Sequence, residues 1–275
     1  MFIPMAVAIA EQRIGKWGER YYSGRVLQLL ERGLIAFRSS TWMIVFSGFF
    51  EPVLYLLSFG YGIGKLLPTI DVGGQSIKYA VYIAPALLAT SAMNGAIYDS
   101  TMNVFFKLNH DRIYHGMLAT SMGPLDVALG EIGWALIRGF SYACAFMIVV
   151  APLGLIPSVW GFLSIPAAVL IAFGFASIGM ALTSYMKSFQ QLEIVNMFLL
   201  PMFLFSGSFY PLSVFPQWLQ FTVNLFPLTH AINLVRGLCL GQINLALAGH
   251  AMYFIIMIIC GLFITTRRLD ALFMK

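Results

Sequence analysis

Residues 160–184, WGFLSIPAAVLIAFGFASIGMALTS, carry no charged side chain. As a helix, a run of this length and character crosses the roughly 30 Å hydrocarbon core of a bilayer, which takes about 20 apolar residues. The rest of the chain agrees with that reading. Of its 275 residues 60% are hydrophobic and 10% charged, with a mean hydropathy of +0.84, whereas soluble domains carry about 25% charged residues. Eleven acidic and sixteen basic side chains are too few to cover a water-facing surface of this size, so soluble enzyme classes fall away.

Working outward from that run, six stretches qualify as spans: 42–65, 79–106, 130–154, 160–184, 192–209 and 244–265. The fifth is short, because Pro201 interrupts it and Pro211 closes it. Ahead of the first, residues 23–40 place Leu27, Leu30, Leu34 and Phe37 on one helical face and Arg25, Glu31, Arg32 and Arg38 largely elsewhere. That pattern predicts an interfacial amphipathic helix. The opening MFIPMAVAIA is apolar, but no basic stretch precedes it and Glu11 and Arg13 cut it short, unlike a secretory signal. It is expected to be retained.

Orientation follows from Lys and Arg in the short connections. Twelve lie in the N-terminal segment, the second and fourth connections and the tail; three (Lys65, Lys78, Arg236) lie on the other side, and Arg138 sits inside the third span. Both termini are therefore expected in the cytoplasm. Between spans five and six, residues 210–242 stay apolar while Pro211, Pro216 and Pro227 break them up. Two half-helices in or on the outer leaflet fit best, with Trp218, Phe221 and Phe226 at headgroup level and His230 in the second piece; a lipid-hugging loop is the alternative.

Marks of catalysis fail on inspection. FGYGIGKLL (59–67) resembles a phosphate loop, yet Phe59 stands where the first glycine belongs and Leu66 where Ser or Thr belongs. Ser206, Ser208, His230 and His250 invite a hydrolase reading, but FSGSFYP lacks the nucleophile-elbow glycines. His110 and His115 are off the four-residue spacing that puts both on one metal. Cys144, Cys239 and Cys260 show neither paired nor metal-ligand spacing. No cofactor or metal is expected.

Charges inside apolar spans are the positive feature. Glu51, Asp99, Arg138 and Glu193 are expensive in hydrocarbon, so each should face protein or water. One reading is an ion or substrate path. The other, favoured here, is a structural clamp in which Arg138 pairs with Glu51 or Asp99, Glu193 and Asp99 sitting near the inner interface. Between spans two and three, Ile113, Tyr114, Met117 and Leu118 recur at helical spacing before the breaker Gly123-Pro124, which predicts a short amphipathic cytoplasmic helix that rests on lipid or enters a partner's groove.

Several stretches together resemble the membrane permease subunits of ABC-2 type exporters, nearest to the nodulation-type lipo-oligosaccharide and daunorubicin-resistance permeases. They are GFFEPVLYLLSFGYGIG, YIAPALLATSAMNGAIYDSTMNVFFKL, HGMLATSMGPLDVALGEIGWALIRG and LLPMFLFSGSFYPLSVFPQWLQFTVNLFPLTHAINLVRGLCLG, in order, from Gly24 onward. The resemblance implies an all-α integral membrane fold at 24–275, following a cytoplasmic extension at 1–23. Six spans would be accompanied by an elbow helix, a coupling helix and broken extracellular half-helices. It implies that Arg112, Ile113, Tyr114, His115, Met117 and Leu118 couple to a separate ABC ATP-binding subunit, which binds the ATP. A second permease copy or paralogue, membrane lipids, the cell (inner) membrane and no nucleic acid complete the implied setting. The substrate would be amphipathic: a lipid-linked oligosaccharide, a lipid or a hydrophobic drug. The competing class is a self-sufficient secondary transporter or channel built on Glu51, Asp99, Arg138 and Glu193.

Overall fold

The computed structural model describes residues 22–37, 50–72, 75–111, 113–120 and 122–273. Arg13, Lys16, Arg20, Arg38, Arg112, Lys275, the first 21 residues and the start of the first expected span lie outside them. The chain opens with α1 (Val26–Phe37) and α2 (50–66), the latter π-helical over Ser58–Ile63. A hairpin of β1 (Thr69–Val72) and β2 (Gln75–Lys78) leads into α3 (Tyr79–His110). Then come α4 (Ile113–Leu118), α5 (Pro124–Val150), α6 (Val159–Thr183) and α7 (Gln190–Phe205). The half-helices α8 (Gln217–Asn224) and α9 (Pro227–Leu240) precede α10 (Leu245–Phe273).

Helices α3, α5, α6 and α10 are long and apolar enough to cross a membrane, and they correspond to the second, third, fourth and sixth expected spans. Helices α8 and α9 meet at 85°, as a broken span or re-entrant loop does. The fifth expected span is α7, whose 16 residues rise about 24 Å, short of a full hydrocarbon core. Pro201 sits inside α7 without ending it; the chain turns instead at Gly207, whose φ of 75° suits glycine. The described elements are helical, in keeping with the all-α expectation, apart from the short hairpin of β1 and β2. Its sequence signal is Gly73-Gly74, a favoured two-residue loop, set between TIDV and QSIK, which pair antiparallel with Ile70 opposite Ile77.

Helix α6 is the centre of the bundle, packed on α10, α5, α3 and α9. Lipid offers apolar side chains no less than protein does, so close backbone approach is what favours such contacts. At Gly261 of α10 an added Cβ would stand 2.6 Å from the Ser177 backbone, so only glycine lets α10 lie this close to α6. By contrast α7 shares no extensive interface with another helix among the described residues.

The third expected span begins earlier than 130, at Pro124, and the reason is Asp126. This fully buried carboxylate accepts hydrogen bonds from Gly123 N (2.9 Å), Ser23 N (2.7 Å), Ser23 Oγ (2.8 Å) and Arg25 N (3.0 Å). It caps α5 and holds the approach to α1 at once. Helix α1 then docks on α5 through Leu29, Leu30 and Gly33, against Gly130, Gly133 and Trp134. Leu27, on the apolar face expected at the membrane interface, is 76% exposed.

Candidate functional site

From Tyr82 to Thr101 helix α3 is buried except at Asn94 and Tyr98. Both open onto a groove walled by α2, α3, α5 and α7, in which two adjoining cavities of about 600 Å³ each share Glu51, Pro52, Asn94, Tyr98 and Met102. One cavity is the more polar of the two, reaching Asp99, Asn103 and Arg138. The other is lined by Leu87, Leu199, Leu200 and an aromatic cluster. In that cluster Phe209 lies 4.8 Å from Phe59 and 5.1 Å from Phe203, ring centre to centre, and Tyr55 packs on both Phe59 and Phe203.

Backbone irregularity shapes this groove. Residues Asp99–Asn103 form a π-helical turn in α3, a form concentrated at functional sites. Such a turn loosens the backbone ladder, and its carbonyls need other donors in an apolar setting. Thr183 Oγ1 of α6 supplies one, donating to Ser100 O at 3.1 Å, and Gly179 leaves room for the Ser100 side chain. The same turn carries Asp99 to Arg138, with Nε and Oδ2 2.9 Å apart and both side chains buried. The pair is close but not aligned as a hydrogen bond, and Asp99 Oδ1 has no hydrogen-bond partner among the described residues.

Of the charges singled out in the sequence, Asp99 is thus the partner of Arg138, while Glu51 lines the same cavity and is exposed. Glu193 joins neither cavity; it is exposed at the start of α7, 3.5 Å from Asn196 Nδ2. Arg236, counted above with the outward-side charges, is instead buried. It donates to Gly207 O at 2.8 Å and stacks 3.9 Å over the Tyr82 ring, whose hydroxyl also donates to Gly207 O. A lone Arg in the apolar run AINLVRGLCLG was the available signal, and it does not count as a flanking charge.

Tyr114 and Leu118 of α4, expected to enter a partner's groove, point into this chain's own core at 0% and 6% exposure. Burial and the adjacent Glu131 carboxylate push the Tyr114 hydroxyl well above its ordinary range, so it stays neutral. Glu131 also holds Lys107 of α3 at 2.6 Å. His115 meets Phe273 of α10 edge to face at 4.6 Å, and Ile113 and Met117 are half-buried. The open side of α4 therefore carries His115 and Gly116, followed by Ala119 and Thr120; Arg112 lies outside the described residues.

At the far end, Trp218 and Phe221 are each 71% exposed on α8, and Phe226 is half-buried. His230 Nδ1 lies 2.8 Å from His250 Nδ1, and its ring stacks on Tyr253. Two histidines do not make a metal site, and no group of three or more ligating side chains occurs among the described residues.

Comparison with known proteins gives this arrangement a family. Residues 25–240 match the family described as ABC-2 type transporter. Nodulation protein J of Sinorhizobium fredii (strain NBRC 101917 / NGR234) is 30% identical over 208 residues, 74% of this chain and 77% of that protein. The Neorhizobium galegae protein of the same name is 30% identical over 226 residues, 80% and 84% of the two chains. That of Rhizobium leguminosarum bv. trifolii is 27% identical over 236 residues, 86% and 88%. With apolar helices crossing the membrane several times and a match over most of its length, this chain belongs to the ABC-2 type transporter family, as a membrane permease of an ABC exporter.

Proposed function

We propose that this permease moves an amphipathic molecule outward across the cell membrane, driven by a separate ATP-binding subunit and working as a dimer with a second copy or a paralogue. Both termini and α4 face the cytoplasm in this reading. The observation that carries it is the groove of two characters, polar beside Asp99 and Arg138 and aromatic beside Phe59 and Phe203. Such a groove suits a ligand with a polar head and an apolar body. An ion relay through the four intramembrane charges finds less support, because Glu193 lines neither cavity and Arg138 is held by Asp99.

ATP would act at a distance. The exposed side of α4 is offered to the ATP-binding partner, and its buried side packs into the core through Tyr114 and Leu118, beside Glu131 of α5, which is paired to Lys107 of α3. A push on α4 then reaches the helix that carries Asp99, as a rigid-body movement between packed elements. Affinity purification of the tagged chain from its own membranes, followed by mass spectrometry, tests the partnership. An ABC-type ATP-binding protein at stoichiometric level is expected; its consistent absence from an intact, folded preparation overturns the reading.

A further inference from the structure

Charges in the polar cavity do not balance. Asp99 and Arg138 offset one another, which leaves Glu51, exposed at the boundary of the two cavities, with no basic side chain bridged to it among the described residues. Its near neighbour is the Tyr55 hydroxyl, one turn further along α2. The Asp99 carboxylate, buried at 3% exposure, has neither oxygen in an aligned hydrogen bond. Neutral groups that both donate and accept, such as Asn94, Tyr98 and Asn103, also line the cavity, so what sets its wall apart is the net negative charge left at Glu51.

Head groups differ sharply in how they answer such a wall. A phosphate brings only acceptors and more negative charge. A hydroxyl brings one donor. A primary ammonium brings three donors and the opposite charge. Its body would lie in the aromatic cavity, since Glu51 and Phe59 on α2 are separated by about 12 Å of helical rise, a distance a dodecyl chain spans. The geometry points to an amphiphile with a positively charged amino group as the preferred ligand, the ammonium resting against the exposed Glu51 carboxylate and the apolar chain running along Tyr55, Phe59 and Phe203. This selection rests on the export reading above, because it assigns the head-group chemistry of the same groove.

Photoaffinity labelling tests it on the full chain without any nucleotide partner. The permease is placed in nanodiscs of phosphatidylcholine and irradiated with a diazirine-bearing dodecylammonium, with dodecylammonium, dodecanol and dodecyl phosphate as competitors. Labelled peptides should come from α2, α3 and α7. Dodecylammonium should compete at least about tenfold better than either other compound, the size of one charge-assisted hydrogen bond. Glu51→Gln should abolish that preference at an unchanged melting temperature, and Glu51→Asp should keep part of it. Equal competition by dodecanol or dodecyl phosphate, labelling away from the groove, or an undiminished preference in Glu51→Gln overturns the assignment. Failure to label a chain that exports with its partner removes only the ammonium assignment. Labelling of a chain whose complex never exports removes only the export reading.

Discussion

Asp99 and Arg138 form the buried pair on which the groove's inner wall depends. Removing one member of such a pair leaves an uncompensated charge and typically costs 3 to 5 kcal/mol, roughly. Arg138→Ala should lower the folded yield and melting temperature, and adding Asp99→Asn should restore part of both, because the orphaned charge is gone. Well-folded Arg138→Ala protein that has lost transport would instead make the residue part of a path. Asp126 makes a second test. Asp126→Ala removes the acceptor of four hydrogen bonds, two from Ser23 and one each from Arg25 and Gly123. A cap of this kind is worth about 1 to 2 kcal/mol, and its loss should free residues 22–26 to proteolysis while the spans stay protected. Unchanged cleavage there would show that Leu29 and Leu30 alone hold α1.

Among the elements, α4 shows where a pattern in sequence stops short. Ile113, Tyr114, Met117 and Leu118 mark an amphipathic helix correctly, but periodicity is silent on whether the apolar face meets a partner or the chain itself. Here it meets the chain. A double change of Tyr114 and Leu118 to Asp therefore damages this protein's own core and says nothing clean about docking. Gly116 is the better probe, since nothing lies within 4 Å of a Cβ added there, and Ala119 is exposed. Gly116→Asp with Ala119→Asp should reduce copurification of the ATP-binding subunit at least about tenfold, as charge placed in a desolvated contact does, with the melting temperature unchanged. Undiminished copurification would place the partner elsewhere. The long apolar runs of α3, α5, α6 and α10 were legible because spanning a bilayer is a one-dimensional requirement of length and polarity. The π turn at Asp99, the burial of Arg236 and the four donors on Asp126 were not, because each depends on residues brought together from distant parts of the chain. The hairpin was legible in principle, from Gly73-Gly74.

At the scale of the whole molecule, a tightly packed half around α6 stands against a looser side formed by α2 and α7, and the groove lies on that looser side. A permease that alternates between states needs such a division, with rigid elements to transmit a push and a wall free to move. Among the elements nearest the proposed ATP-driven input, α4 is seated in the core by Tyr114 and Leu118 and α5 is paired to α3 by Glu131 and Lys107, whereas the rings of the aromatic wall meet one another across α2 and α7. The most direct measurement is flux in proteoliposomes holding this chain, alone or with its copurified ATP-binding subunit, with a fluorescent amphiphile as cargo and ionophores to collapse every ion gradient. The account predicts no ATP turnover and no flux with the chain alone, and ATP-dependent flux indifferent to ionophores with the partner present; flux driven by an ion gradient without ATP, or ATP hydrolysis by the chain alone, would contradict it.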